Sequence, residues 1–386
     1  MAEKPHLCFI STTVYSYLAD DDIELAGGAE RQQFLLGSEL SEKGYQVSYI
    51  TGVFESVGRT NMKGFEVHQS IPLESGITGA PLKIWRIFNA IRECDADIYY
   101  VRGNPFHCII VSNICKMLNK EFVYSIANDA QVDPKRLKES ANIGYRKLYM
   151  NAVGNASEVA TLTNHQKELL REEHGIDATF IPVGYDVPSE EEILPVEDRE
   201  FVFWAGRIVE YNKPNAFIDL AKEFPELKFV MAGPSEVESD LDAKIMDESS
   251  FEVETLRNAR EVSNLEYIGF VPPDEIHEYF RKAIAYIQTT DAIADIGNTT
   301  LEAWRYATPI ITLYTTYDGK IETNELGLYS DSSFEKLVDN MEALVNSPEL
   351  QEKLGKNGRE HLKDNFSLEE ITSRYEKLFE RAHKTS

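Results

Sequence analysis

The sequence predicts an α/β protein of two doubly wound domains, each a parallel sheet with helices on its faces, and three observations carry that reading. Short apolar runs alternate with helical patterns along most of the chain, as parallel strands and their crossover helices require. The alternation pauses at the polar segment Ser189–Arg199 and then restarts. The 386 residues exceed one ordinary core and fit two or three domains of ~100–200 residues each. The expected division is residues 1–186 and residues 187–365.

In order, the first half offers strands near Leu7–Ser11, Gln46–Thr51, Phe65–Ile71, Asp97–Val101, Glu121–Ala127, Glu158–Thr163 and Ala178–Pro182. Each is a short apolar or β-branched run bounded by polar residues. Helical spacing fills most gaps, as in Ala29–Lys43, Leu82–Arg92, Cys108–Leu118 and His165–Glu173. The second half offers strands Phe201–Ala205, Lys228–Ala232, Leu265–Phe270, Ala285–Thr290 and Pro309–Leu313. The acidic stretch Pro234–Ser263 is longer than an ordinary connection and is expected to hold an extra helix.

Composition narrows the function. The net charge is −26, distributed as −6 over residues 1–186 and −20 over the remainder, which argues against nucleic acid as the partner. No apolar run reaches the ~18 residues of a membrane span. The opening Met1-Ala-Glu-Lys-Pro lacks the basic and apolar regions of a signal peptide, so a cytoplasmic location is expected. Cys8, Cys94, Cys108 and Cys115 form no CxxC pair and read as reduced structural thiols. The eight histidines show no metal-ligand spacing, and Asp95-Ala-Asp97 precedes an apolar strand, where turn chemistry accounts for it better than a cation does.

In open parallel sheets ligands bind at the carboxyl ends of strands. Gly27-Gly28-Ala29-Glu30 follows the first strand and opens a helix, so its backbone can approach a substrate closely or serve only as a turn. Asp129, after the strand ending at Ala127, can bind an acceptor hydroxyl, assist proton transfer or cap a helix. Gly206-Arg207 ends the strand Phe201–Ala205, with Lys213 in the next turn, and two cations there suit a diphosphate. Phe270 and Val271 end another strand and can present backbone groups to a base. Gly297, Asn298, Thr299 and Thr300 open a helix whose free N–H groups and positive end attract phosphate. Glu302, about one turn further on, can accept hydrogen bonds from a ribose.

These motifs, in this order and spacing, resemble the retaining, nucleotide-sugar-dependent glycosyltransferases of family 4. The resemblance covers nearly the whole chain: Gly27-Gly28-Ala29-Glu30, Ile181-Pro-Val-Gly-Tyr-Asp186, Ala205-Gly206-Arg207, Ile268-Gly-Phe-Val-Pro272, Gly297-Asn-Thr-Thr-Leu-Glu-Ala303 and Thr308-Pro-Ile-Ile311. It implies the GT-B fold, two Rossmann-like domains facing a central cleft, with a final helix, residues 366–386, returning to the N-terminal domain. It implies that Arg207 neutralises the donor diphosphate and that Glu302 grips the ribose. Gly297 to Thr300 would lie against diphosphate and donor sugar, and Gly27 and Gly28 close to donor and acceptor. The chain departs from the family in having Ala294 where a second Glu is common. It also has Asn212 followed by Lys213 where the diphosphate-binding lysine falls one residue earlier, and Asn128 where a histidine is frequent.

What the resemblance implies chemically is transfer of a sugar from a nucleotide-sugar donor to an acceptor hydroxyl with retention, in glycan, glycolipid or lipid-linked oligosaccharide assembly. Arg207 and Lys213 would stabilise the leaving group, a phosphate oxygen would take the acceptor proton, and neither cofactor nor metal is expected. Leu82–Arg92 interleaves Ile84, Trp85, Ile87, Phe88 and Ile91 with Lys83, Arg86 and Arg92, and Lys135, Arg136, Lys138, Arg146 and Lys147 cluster further on. Core packing with a solvated face is the expectation for them; contact with anionic lipid, suited to a lipid-linked acceptor at the cytoplasmic membrane face, is the alternative. A GT-B sugar-nucleotide epimerase and a non-catalytic nucleotide-sugar-binding protein are the rival functions.

Overall fold

The computed structural model describes residues 4–19, 28–73, 79–140, 142–235, 250–272, 275–291 and 296–384. The chain forms two compact units, Met1–Gly184 with Phe366–Ser386, and Tyr185–Asn365.

In the first unit an eight-stranded sheet runs in the order Gly58–Met62, Phe65–Ile71, Val47–Gly52, Leu7–Ile10, Ile98–Arg102, Glu121–Ser125, Glu158–Thr161, Thr179–Phe180. Its pairings are parallel except that Gly58–Met62 lies antiparallel to Phe65–Ile71. The central strands are buried along their whole length, which is why they read as continuous apolar runs. Alternation sorts their side chains between two cores. Cys8, Ile10, Tyr99 and Val101 pack with Ile87, Ile91, Val111 and Tyr149. Leu7, Phe9, Ile98 and Tyr100 pack with Leu36, Leu40, Ile371, Tyr375 and Phe379. The last three of these belong to the helix Leu368–Lys384, which covers this face, and the Tyr375 hydroxyl lies 3.1 Å from that of Tyr100.

Two features of this unit bear on the sequence reading. Asp95 ends the helix Ala80–Cys94 in a left-handed conformation and pairs with Lys120 at 2.7 Å, while Asp97 Oδ2 accepts from the His6 amide at 2.8 Å. Both carboxylates of the Asp95-Ala-Asp97 sequence thus serve the turn. On the helix Ala80–Cys94, Ile87, Ala90 and Ile91 are buried, but Leu82, Ile84 and Trp85 are 48%, 42% and 60% exposed. The expectation of core packing therefore holds for the later turns of the helix and fails for its first turn. The four cysteines are free and buried.

In the second unit six parallel strands run in the order Leu265–Tyr267, Phe229–Ala232, Phe201–Ala205, Ala283–Gln288, Ile310–Thr312, Leu328–Tyr329. Val202, Trp204, Met231 and Ile287 meet Phe217 and Leu220 of the helix Pro214–Glu223 and Leu337 and Met341 of the helix Phe334–Val345. The acidic stretch holds the helix Phe251–Glu261, capped by Ser250, whose hydroxyl accepts from the Val253 amide. Arg199, just before the central strand, is buried. It donates to Ala283 O and Thr308 Oγ1 at 2.9 and 3.0 Å and to Tyr306 O and Ala307 O at 3.1 and 3.0 Å. No helix among the described residues is long and apolar enough to cross a membrane.

Candidate functional site

The site is built at the carboxyl edge of the second sheet. Strand Phe201–Ala205 leads into Gly206, whose amide donates to Ala232 O at 3.0 Å. The neighbouring strand ends at Gly233, whose amide donates to Gly269 O at 2.8 Å. A Cβ at Gly233 would stand 1.7 Å from the Gly206 carbonyl oxygen, so only glycine lets these two strand ends pass. The sequence reading did not single out Gly233; its signal is a Gly-Pro pair closing an apolar run.

Arg207 is exposed, with Nη2 donating to the Tyr211 hydroxyl at 3.2 Å. Its backbone carbonyl accepts from Asn212 Nδ2 at 2.8 Å. Asn212 in turn accepts from Thr289 Oγ1 on its carbonyl at 2.6 Å and from Thr290 Oγ1 on its side chain at 3.2 Å. The chain is closed by Trp204 Nε1 donating to Thr289 Oγ1 at 2.8 Å. Asn212 is therefore a buried strut that ties the Arg207 turn to the end of strand Ala283–Gln288. Lys213 follows it in a left-handed conformation (φ 48°) and starts the helix Pro214–Glu223. Neither Arg207 nor Lys213 meets a carboxylate among the described residues.

The helix Asn298–Arg305 begins beside this turn. Its N-cap, Gly297, supplies no side chain to the first amides, and its first turn carries no acidic residue. Thr299 Oγ1 accepts from the Tyr286 hydroxyl at 2.7 Å, and that hydroxyl lies 3.4 Å from Ala205 O. Tyr286 thus joins the helix start to the strand that carries Gly206 and Arg207. Thr300 is buried with Oγ1 2.7 Å from the Tyr317 hydroxyl. Burial pushes the Tyr317 phenol up to about 12 and raises that of Tyr286, so both stay protonated. The first amides of the helix, at Asn298 and Thr299, have no intrahelical acceptor and lie at its positive end.

Glu302 stands on the same helix, with Oε2 2.6 Å from Arg305 Nη1. Arg305 Nε donates to Asp186 O at 2.8 Å, and its backbone carbonyl accepts from Arg359. Burial works against the charge on Arg305, yet the Glu302 carboxylate keeps its pKa above the ordinary value. One carboxylate oxygen of Glu302 is thereby held by Arg305. Phe270 and Val271 follow the strand Leu265–Tyr267; Phe270 is largely exposed and Val271 half-buried. The structure thus gathers Gly206, Arg207, Lys213, Phe270, Val271, Gly297, Asn298, Thr299, Thr300 and Glu302 on or beside the carboxyl ends of one sheet.

The remaining candidates belong to the N-terminal unit. Gly28 opens the helix Gly28–Glu42 with open space where a Cβ would point, and Glu30 in its first turn accepts from Thr13 Oγ1 at 3.1 Å. Asp129 lies in a short 3-10 turn after strand Glu121–Ser125, and its Oδ1 accepts from Gln166 Nε2 at 3.0 Å. Gly27 and Ala294 lie outside the described residues. No group of three or more His, Cys, Asp or Glu residues with metal-binding geometry occurs among the described residues.

Residues 188–361 match the family model described as glycosyl transferases group 1. The Bacillus subtilis protein YtcC, whose glycosyltransferase description is itself provisional, is 23% identical over 195 residues, 48% of this chain and 46% of that protein. The chain thus spans about half the length of the curated relative it matches. Among solved structures, the sucrose-phosphate synthase of Thermosynechococcus elongatus superposes with a TM-score of 0.69 at 16% identity, covering 99% of this chain and 100% of the other. HepE of Anabaena in complex with UDP and glucose gives 0.65 at 14% identity, covering 97% and 99%. The fold is GT-B, with two Rossmann-like α/β domains. The match over residues 188–361 is thus to a glycosyltransferase family model, and the fold of the whole chain agrees with it.

Proposed function

We propose that the protein is a metal-independent family 4 glycosyltransferase that moves a sugar from a nucleoside diphosphate donor to an acceptor hydroxyl with retention. The observation that carries this reading is the pairing of an uncapped helix start, at Asn298 and Thr299, with two cations, Arg207 and Lys213, that no described carboxylate neutralises. In a unit of strongly negative charge, that edge is electrostatically set up for an anion.

As the glycosidic bond breaks, negative charge grows on the departing diphosphate. Arg207, Lys213 and the first amides of the helix at Asn298 are the donors aimed at it, and each donor of this kind contributes roughly 3 kcal/mol to lowering the barrier. Gly206 and Gly297 let the backbone approach the phosphates, with Thr299 and Thr300 holding the helix start in place. Glu302, oriented by Arg305, accepts hydrogen bonds from the ribose, and the backbone at Phe270 and Val271 meets the base. A leaving phosphate oxygen takes the acceptor proton on the same face, so no protein nucleophile is required. Gly27, Gly28 and Asp129 are assigned to the approach of the substrates and the acceptor hydroxyl.

For the acceptor, the exposed Leu82, Ile84 and Trp85 beside Lys83 and Arg86 favour a lipid-linked molecule at the cytoplasmic membrane face over a free glycan. Co-sedimentation with liposomes should rise with anionic lipid; binding indifferent to it removes this part of the reading. The function itself is tested by incubating the protein with UDP-, GDP- and ADP-sugars in EDTA and following products by mass and anomeric configuration. Transfer or slow donor hydrolysis with retention supports the proposal. Isomerisation of the sugar would make it an epimerase, and binding without turnover a non-catalytic relative.

A further inference from the structure

Arg102 closes the strand Ile98–Arg102, at the carboxyl edge of the N-terminal sheet between Leu7–Ile10 and Glu121–Ser125, and pairs in register with Ser125. Alternation puts it on the same face as Ile98 and Tyr100, and the Tyr100 ring meets those of Tyr375 and Phe379 with centroids 5.8 and 5.9 Å apart. Its side chain is 9% exposed. Its Nε is buried without a partner, and among the described residues its guanidinium makes no hydrogen bond or ion pair.

Arg199 and Arg359 also leave Nε without a partner, but unlike Arg102 they bond through their terminal nitrogens. Arg199 donates to three backbone carbonyls and a threonine hydroxyl at 2.9 to 3.1 Å, and Arg359 donates to Arg305 O, Pro188 O and Glu190. The backbone around Arg102 is satisfied: its carbonyl accepts from the Asn104 amide at 2.9 Å, and the Gly103 amide donates to Ser125 O at 2.9 Å. Among the described residues, two acids at the same edge hold other partners, Glu30 taking Thr13 Oγ1 and Asp129 taking Gln166 Nε2. A buried guanidinium nitrogen with no acceptor is destabilising unless a ligand supplies one. Its planar fork matches the paired oxygens of a carboxylate or phosphate. Strand carboxyl ends of such sheets are where ligands sit.

We propose that Arg102 binds an anionic oxygen group, a carboxylate or phosphate, carried by the substrate that the N-terminal unit receives. The proposal rests on the glycosyltransferase reading for the word substrate, and it gives that substrate a negative charge distinct from the donor diphosphate assigned to Arg207. A neutral sugar could offer hydroxyl acceptors but no counter-charge.

The test uses the full chain saturated with UDP, so that the diphosphate site is filled, and measures the affinity of inorganic phosphate, glycerol phosphate and malate against neutral glycerol at constant ionic strength. Wild type should bind the three anions and not glycerol. Arg102→Met should weaken anion binding at least tenfold while leaving UDP affinity within twofold. Arg102→Lys, which keeps the charge and loses the fork, should fall between and serves as the folded control if Arg102→Met does not fold. Preference for glycerol phosphate over inorganic phosphate identifies a phosphorylated substrate; preference for malate identifies a carboxylated one. No anion binding in wild type, or unchanged binding in both variants, overturns the proposal. Loss of UDP affinity equal to the loss of anion affinity also overturns it, by assigning Arg102 to the donor. If wild type fails to bind UDP but binds the anions through Arg102, the glycosyltransferase reading falls and the anion site stands.

Discussion

The strand Phe201–Ala205 is bracketed by two arginines in opposite circumstances. At its entry Arg199 is buried and spends its donors on Ala283, Tyr306, Ala307 and Thr308, and burial pulls its pKa down to about 10. At its exit Arg207 is exposed and holds one tyrosine hydroxyl. The difference shows what separates a fastening from a binding group here. Residue type is the same; what differs is whether the protein itself consumes the donors. Arg359 and Arg305 fall on the fastening side, Lys213 on the other.

Several substitutions break that contrast in different places. Arg199→Met should have the largest effect and only on the fold. Several buried carbonyls lose their donor at once, each costing ~1–3 kcal/mol, so a stability loss of about 3 kcal/mol or more is expected in chemical denaturation, with UDP affinity per folded molecule unchanged. Arg207→Ala should do the reverse. Transfer should fall about a hundredfold or more with stability within about 0.5 kcal/mol of wild type, and Arg207→Lys should recover little because the fork is lost. Wild-type turnover in the alanine variant would remove Arg207 from the site.

Gly233→Ala tests the edge without touching a charge. The new Cβ must push the Gly206 carbonyl away, and with it the Arg207 turn, so stability should drop by about 1–3 kcal/mol and UDP affinity should fall as well. Retained affinity in a destabilised variant would mean that the Gly206–Arg207 turn does not touch the nucleotide. Glu302→Gln should have the smallest effect, raising the donor KM about tenfold. The penalty should shrink with a 2′,3′-dideoxyribose donor, which already lacks the hydroxyls. A penalty confined to kcat and undiminished with that donor would place Glu302 at the reacting centre instead.

The fold class was legible because buried parallel strands leave apolar runs. Phe65–Ile71 and Phe201–Ala205 occupy the same residues in sequence and structure. Strand Gly58–Met62 was not legible, since it lies at the sheet edge with Gly58, Arg59, Thr60 and Asn61 showing no apolar face. Leu328–Tyr329 is too short to carry a period. For the site, the Gly206-Arg207 pair could be placed at a strand end from sequence because an apolar run announces that end. Gly233 and Asn212 could not be weighed, since one matters through a backbone approach and the other through hydrogen bonds to Thr289 and Thr290, far along the chain. Arg102 was invisible for a related reason: its significance is the lack of a partner, and only coordinates show that.

The central claim is that the carboxyl edge of the C-terminal sheet binds the nucleoside diphosphate because its donors are not consumed by the protein. Amide hydrogen exchange with and without saturating UDP tests it most directly. Slowed exchange is expected at residues 206–213 and at Asn298 and Thr299, with no change around Arg199 or residues 306–308. Protection absent from the Asn298 helix start, in protein shown to have bound UDP, would contradict the account.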